Sequence, residues 1–257
     1  MFELNLLNTL LLLGTGIVTG ALNVIAGGGS FLSLPVLIFL GLPPTLANGT
    51  NRVAILLQNV GAVWGFHRHR VLDWRLGLLA AVPAAVGGIV GSYAALAVGD
   101  DAFRKILAFL MVVISLWTLW DPLKKKGRVG GLSGPPVLSP GLRWGLGAGF
   151  FLVGVYGGFV QAGVGFLILT ATTLVGLDLV RGNALKVLVI LIFTGISLVI
   201  FAAEGQVRWI PGLLLAVGTV AGGLLGVRLT VLKGHQWVKA VVTAAVVLFA
   251  LKLWLAP

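Results

Sequence analysis

The sequence predicts an all-α, polytopic membrane protein built from two inverted repeats of about five hydrophobic segments each. Hydrophobic residues make up 58% of the 257 residues and charged residues only 10%, whereas about 25% of an ordinary soluble domain is charged. The mean hydropathy is +1.09, and long apolar runs recur along the whole chain. One constant offset of 135 positions also aligns the two halves. We expect short or broken helices after glycine-rich breaks in this architecture.

The first half, residues 1–120, contains four apolar runs near the length of about 20 residues that a membrane-spanning helix needs. These runs are Leu4–Ala26, Thr45–Phe66, Trp74–Val98 and Phe103–Trp120. A shorter run, Phe31–Leu42, follows three glycines and precedes two prolines. At a rise of about 1.5 Å per residue it is too short to cross the bilayer upright. It is therefore predicted to be either a half-helix that re-enters or a distorted crossing.

A polar linker, residues 121–143, separates the halves and is rich in lysine, proline and glycine. Such a composition is typical of a loop. The second half, residues 144–257, resumes the apolar pattern with another five segments. They are Trp144–Val160, Phe166–Leu177, Val180–Ala203, Trp209–Val231 and Val238–Leu255.

The repeat is supported by residue types that are rare in this chain. At the offset of 135, Asn48 aligns with Asn183 and Trp74 with Trp209. Several glycines and aromatic residues align in the same register, among them Gly28 with Gly163, Phe31 with Phe166, Gly41 with Gly176 and Phe66 with Phe201. We therefore expect the halves to superpose after a two-fold rotation.

Charge placement predicts the orientation in the membrane. Basic residues concentrate in the loop 67–75, in the linker, before the eighth segment and around the break before the tenth. If all ten segments cross, these regions share one side, which the positive-inside rule identifies as the cytoplasm. Both termini then lie on the side of the inner membrane opposite the cytoplasm, and the repeats are inverted. If the short segments re-enter instead, the repeats become parallel.

Several function classes are disfavoured. The chain has no cysteine, its seven acidic residues lie at segment ends or in loops, and its three histidines lie in loops. We therefore expect no metal site, no cofactor, no buried carboxylate relay and no two-carboxylate enzyme. The glycine-rich stretch lacks the lysine of a phosphate-binding loop. The net charge of +11 reflects cytoplasmic loops, so nucleic acid is not an expected partner.

The first candidate site is the run Gly27, Gly28, Gly29 and Ser30 before the short segment. Three glycines break a helix, and Ser30 is a natural N-cap for the next one. A helix N-terminus favours anions. The alternative is close helix packing on small residues.

The second candidate site combines polar residues that enter apolar helices in the two halves. Its members are Asn48, Thr50, Asn51 and Arg52 in the first half and Asn183 and Lys186 in the second, with Gln58 and Gln161 as further amides. Neither cation has an acidic residue near it in the sequence, so each must meet an anion or snorkel to the interface. The set is rich in donors and poor in negative charge, which suits an anion.

The segment from Asn23 to Pro35, with its three glycines, resembles the glycine-rich signature of the sulfite exporter family, TauE/SafE. The stretches Gly41–Pro44, Ala47–Thr50, Gly157–Phe166 and Asn183–Lys186 are similar to that family as well. The resemblance covers nearly the whole chain. It implies a two-repeat permease that moves sulfite, sulfonates or related anions. The second half departs from the signature, because it keeps only Gly163 and Gly165 and has Gln161 and Val164.

The resulting hypothesis is a secondary transporter, not an enzyme, that carries a small sulfur-containing anion by alternating access at the repeat interface. Two alternatives stay open at this point. One is a membrane accessory or assembly protein without a substrate of its own, and the other is a permease for a different small organic anion. A membrane enzyme is a weaker option, because no pair of nucleophile and base is evident.

Overall fold

The computed structural model describes residues 5–25, 27–120, 140–174 and 176–233. These residues form nine α-helices and no strand, in the order α1 Leu6–Ile25, α2 Ser30–Phe39, α3 Pro44–Arg68, α4 Trp74–Ala97, α5 Asp100–Trp120, α6 Pro140–Phe159, α7 Val164–Leu174, α8 Leu179–Ala203 and α9 Trp209–Lys233. The all-α prediction is confirmed. The predicted tenth segment, Val238–Leu255, lies outside the described residues.

Four of the described helices are long and apolar enough to span a membrane: α1, α4, α8 and α9. Helix α3 is equally long, with 25 residues, but carries many polar side chains. These side chains are covered by neighbouring helices, since Asn48, Asn51 and Arg52 are completely buried. A polar helix is tolerated at membrane depth when protein rather than lipid surrounds it.

Helices α3 and α8 pack against each other at the centre of the molecule. Gly49 near the start of α3 lies against Phe201 near the end of α8, and Leu56 contacts Gly195. The two central helices therefore run antiparallel.

Each central helix packs against outer helices that run in its own direction. Glycines allow the closest contacts, because a backbone can approach where no side chain intervenes. On one side Gly16 of α1 lies against Gly218 of α9. On the other side Gly87 and Gly91 of α4 lie against Phe151 and Val155 of α6. Helices α1, α3 and α9 thus form one parallel group, and α4, α6 and α8 form the opposed group. The inverted-repeat hypothesis requires two groups of helices that run in opposite directions. The superposition of the two halves stays a prediction.

The short helix α2 lies in the stretch of chain that connects the end of α1 to the start of α3. Helix α1 ends beside the first turns of α8, where Lys186 lies, whereas α3 begins beside the end of α8. The chain between α1 and α3, which contains α2, therefore runs back from the start of α8 towards its end. Helix α2 is shielded from lipid, because seven of its ten residues are buried. This course favours a short crossing over a re-entrant half-helix, and the crossing itself stays a prediction.

The largest difference between an observed helix boundary and the sequence expectation lies at the linker. Helix α6 begins at Pro140, so the last four residues of the expected linker 121–143 are helical. Proline suits the first turn of a helix, where its missing N–H has no partner to lose. Residues 121–139 lie outside the described part of the chain.

Candidate anion site

The two glycine-rich breaks meet at the centre of the bundle. Gly27 has a φ of +86°, and a Cβ at this position would lie 2.5 Å from the carbonyl carbon of Gly165. Beside this contact the rings of Phe31 and Phe166 stack with centroids 6.3 Å apart. The backbone of one half therefore touches the backbone of the other at the two breaks.

A small buried cavity lies next to this crossing. It is lined by residues of both breaks and of both central helices: Asn23, Gly27, Ser30, Ile55, Gln58, Asn59, Gln161, Val164, Gly165, Lys186 and Ile190. Its volume is about 10 Å³, which leaves room for about one water molecule. An oxyanion such as sulfite is larger than this space.

Lys186 is buried at 1% exposure, so the snorkelling alternative is wrong for this residue. Its ammonium Nζ donates to the backbone carbonyls of Asn23 at 2.8 Å and Val24 at 2.9 Å, and to Oδ1 of Asn183 at 2.5 Å. An ammonium has three donors, and all three are used. The two carbonyls belong to the last turn of α1, where the helix dipole favours a cation. Lys186 therefore caps α1 and brings a positive charge to the cavity wall.

Arg52 is also completely buried, which rules out snorkelling here as well. Its Nη1 and Nη2 donate to the carbonyls of Gly157 at 3.2 Å and Gly158 at 2.5 Å. The guanidinium lies over the ring of Phe201, 4.4 Å from the centroid. Arg52 thus caps the last turn of α6, but it does not line the cavity.

Each half supplies the cap for the broken helix of the other half. Nδ2 of Asn183 on α8 donates to the carbonyl of Ile25 at the end of α1, at 3.4 Å. Nδ2 of Asn48 on α3 donates to the carbonyl of Phe159 at the end of α6, at 2.8 Å. An asparagine and a cation therefore act together on both sides, and they tie the two halves to each other.

The start of α2 is occupied by the protein itself. Oδ1 of Asn23 accepts from the backbone N–H of Ser30 at 3.0 Å and from its hydroxyl at 3.2 Å. Ser30 is the first helical residue and Gly29 is the N-cap residue, so the interpretation of Ser30 as the N-cap is wrong. The cap comes from a side chain on the preceding helix.

The start of α7 instead faces the cavity. Val164 and Gly165 form the first turn of α7 and line the cavity wall. The N–H groups of a first turn have no partner within their own helix. Beside them Nε2 of Gln161 donates to Oγ1 of Thr194, and Oε1 of Gln161 has no partner among the described residues. The second break, which departs from the glycine-rich signature, thus contributes the first two residues of its helix to the cavity wall.

The structure brings together some of the predicted site residues and separates others. Gly27, Ser30, Gln161 and Lys186 line the cavity, while Asn183 supports Lys186. The other predicted residues lie away from the cavity wall: Gly28, Gly29, Asn48, Thr50, Asn51 and Arg52. Among them, Oγ1 of Thr50 accepts from the backbone N–H of Arg208 at 2.9 Å.

Sequence reasoning missed two polar side chains of the lining, Asn23 and Asn59, and the lining residues Ile55, Val164, Gly165 and Ile190. Nδ2 of Asn23 donates to Oε1 of Gln58 at 3.1 Å, and Nδ2 of Asn59 donates to the carbonyl of Ile55 at 2.7 Å. Both are single amides in mostly apolar helices. A single amide in an apolar helix is visible in the sequence and could have marked both residues as candidates. Only the packing of α1 against α3 shows that these two amides lie on the same wall of the cavity.

The cavity lining carries positive charge and no carboxylate. Lys186 is the one ionisable side chain among the lining residues that the structure describes. The remaining polar side chains of the lining are amides and one hydroxyl. An environment of this kind stabilises an anion and disfavours a cation.

The chain is similar to several known proteins over most of its length. Residues 12–253 match the family described as sulfite exporter TauE/SafE. A probable membrane transporter protein of Haemophilus influenzae is 28% identical over 232 residues, which cover 88% of this chain and 87% of that protein. The probable membrane transporter protein YfcA of Escherichia coli is 29% identical over 238 residues, covering 91% of this chain and 85% of its own. The probable membrane transporter protein YunE of Bacillus subtilis is 25% identical over 231 residues, with coverage of 82% and 84%.

No solved structure matches the chain. The match to the family nevertheless extends over both halves and over every residue that lines the cavity. The chain therefore belongs to the sulfite exporter TauE/SafE family of multi-pass membrane transporters.

Proposed function

We propose that this protein is a secondary transporter for a small sulfur-containing anion, such as sulfite or an organosulfonate. The observation that carries the proposal is the closed cavity at the meeting point of the two helix breaks. Its wall combines the charge of Lys186 with amide donors and the first turn of α7. Sites of secondary transporters commonly lie near the membrane midplane, between repeats and at broken helices.

In this proposal one group supplies the positive charge for the anion, and other groups supply its hydrogen bonds. The donors of Lys186 are all engaged with protein acceptors, so the ammonium acts on the anion through its charge. Direct hydrogen bonds come from the cavity amides and from the N–H groups of Val164 and Gly165, since the hydroxyl of Ser30 already donates to Asn23. Such fixed donors replace the water that a sulfonate or sulfite loses on entry.

Alternating access would separate the halves at the cavity. The cavity has room for about one water molecule, so the anion enters only when α1 and α2 move relative to α6 and α7. We propose that residues 1–120 and 144–257 form inverted repeats and rock against each other. The crossed caps at Lys186 and Arg52 are then the contacts that hold the closed form.

The membrane potential supplies a driving force for one direction. An interior-negative potential favours exit of an anion by about 2.3 kcal/mol per charge per 100 mV. The cavity holds no carboxylate among its described lining residues that would serve as a proton carrier. Export driven by the potential is therefore the direction we propose.

A flux assay in liposomes tests the proposal. The purified full chain is reconstituted, and an inside-positive potassium diffusion potential drives uptake of radiolabelled sulfite, methanesulfonate, sulfate or acetate. We expect saturable uptake of sulfite or methanesulfonate that protein-free vesicles lack. Uptake of acetate alone would favour a permease for another organic anion. If none of these anions is transported or bound, the result would favour an accessory protein.

A labelling experiment tests the proposed orientation in the inner membrane. The natural chain has no cysteine, so single cysteines can be added without a background. We expect Gly127→Cys in the linker to be protected from an impermeant maleimide in intact cells. Gly99→Cys, between α4 and α5 where an added side chain meets no neighbour within 4 Å, should be labelled. The reverse pattern would overturn both the orientation and the assignment of the linker to the cytoplasm.

A further inference from the structure

A groove lies on the surface of the helix bundle, where the C-terminal ends of α3 and α9 lie side by side. Its volume is about 580 Å³, and its apolar wall is formed by Trp64, Leu224 and Val227. Arg68 from α3 and Arg228 from α9 stand at its polar end. The groove therefore changes from apolar to strongly basic along its length.

The two arginines are exposed and carry unbalanced charge. Within residues 5–25, 27–120, 140–174 and 176–233, neither forms an ion pair with a carboxylate. The acidic residues at this end of the bundle are already engaged. Asp73 accepts from the backbone N–H of Leu76, and Asp178 caps α8 and pairs with Arg181.

The aromatic residue of the groove fits the membrane interface. Trp64 is 57% exposed, and the guanidinium of Arg68 lies over its ring, 5.6 Å from the centroid. Tryptophan and arginine together are typical of the level where lipid headgroups meet the acyl chains. The neighbouring Leu225 and Leu229 of α9 are also exposed, as expected for a surface that faces hydrocarbon.

We propose that this groove binds one anionic phospholipid. The phosphate lies between Arg68 and Arg228, and an acyl chain follows Trp64, Leu224 and Val227. A zwitterionic lipid fits less well, since its ammonium group would bring a third positive charge to the arginine pair. Basic pockets between membrane helices on the cytoplasmic side recognise acidic headgroups in this way.

The groove is separate from the anion cavity, although both use α3. Gln58 and Asn59 line the cavity, whereas Trp64 and Arg68 line the groove one to three turns later. The proposal consequently does not depend on the identity of the transported anion.

The test measures lipid binding to the purified full chain by native mass spectrometry and by thermal unfolding. The probes are phosphatidylglycerol and phosphatidylcholine with identical acyl chains, and soluble glycerol phosphate. We expect wild type to retain phosphatidylglycerol in preference to phosphatidylcholine and to show no response to glycerol phosphate. The double variant Arg68→Gln/Arg228→Gln should bind phosphatidylglycerol roughly 10- to 30-fold more weakly, because it loses two headgroup-facing charges.

The matched control is Arg70→Gln/Arg75→Gln, which removes the same charge from exposed positions at the same end of the molecule. It should keep wild-type lipid affinity. The proposal is overturned if the groove variant binds phosphatidylglycerol as tightly as wild type. It is equally overturned if the control loses as much affinity, or if glycerol phosphate alone binds as well as the lipid.

Discussion

Lys186→Gln is expected to reduce anion flux by roughly 100-fold, equivalent to about 2.7 kcal/mol. The substitution removes the charge at the cavity wall, and glutamine cannot supply three charged hydrogen bonds to Asn23, Val24 and Asn183. Hydrogen bonds from a charged donor contribute about 1.5–3 kcal/mol each. The midpoint of thermal unfolding should therefore fall together with the affinity for the anion. Flux in liposomes, equilibrium anion binding and thermal unfolding measure the three effects separately.

Three further variants separate binding from capping. Arg52→Gln removes the corresponding cap of α6 but no lining charge, so we expect a similar loss of stability with a much smaller loss of anion affinity. Lys105→Gln changes an exposed lysine and should leave both quantities unchanged. Lys186→Arg should recover part of the flux, because its charge is kept while its planar donors point differently. Anion binding by Lys186→Gln at wild-type affinity would show that Lys186 is a structural cap alone.

Gly27→Ala is expected to prevent formation of the transport-competent structure. The residue has a φ of +86°, and its new Cβ would lie 2.5 Å and 2.7 Å from backbone atoms of Gly165. A left-handed non-glycine residue costs about 1–3 kcal/mol, and the clash with backbone adds to this cost because neither chain has a flexible side chain that can move away. We expect little folded protein in the membrane and no anion flux. Size-exclusion chromatography of the solubilised protein and flux in liposomes measure these outcomes.

Gly14→Ala provides the matched control in the preceding helix. An added Cβ at Gly14 meets no atom within 4 Å, so alanine should raise helix stability by about 0.5–1 kcal/mol. Gly165→Ala should reproduce the defect of Gly27→Ala, since its Cβ would lie 2.5 Å from the Cα of Gly27. A Gly27→Ala protein that folds and transports like wild type would show that the two breaks do not need to touch.

The sequence by itself determined the membrane class and the positions of the helices. Hydrophobic runs of helical length leave few other structures in lipid, because every backbone polar group must be satisfied within its own segment. The short segment after the glycines was also recognisable, since glycines and prolines bound it on both sides. Lys186 was identified for a physical reason visible in the sequence, namely that a cation in an apolar helix requires compensation.

The tertiary structure alone decided what compensates each cation and which groups face the cavity. Two of the three partners of Lys186 are carbonyls more than 160 positions away, and the sequence does not indicate such a contact because every residue has a carbonyl. The sequence likewise does not indicate that Arg52 donates to the carbonyls at the end of α6. Asn23 caps the start of α2, and residues at the starts of both α2 and α7 line the cavity. Hydrophobic patterning places a residue within its own helix, but contacts between helices depend on how their backbones pack, and here glycine contacts bring two distant breaks together.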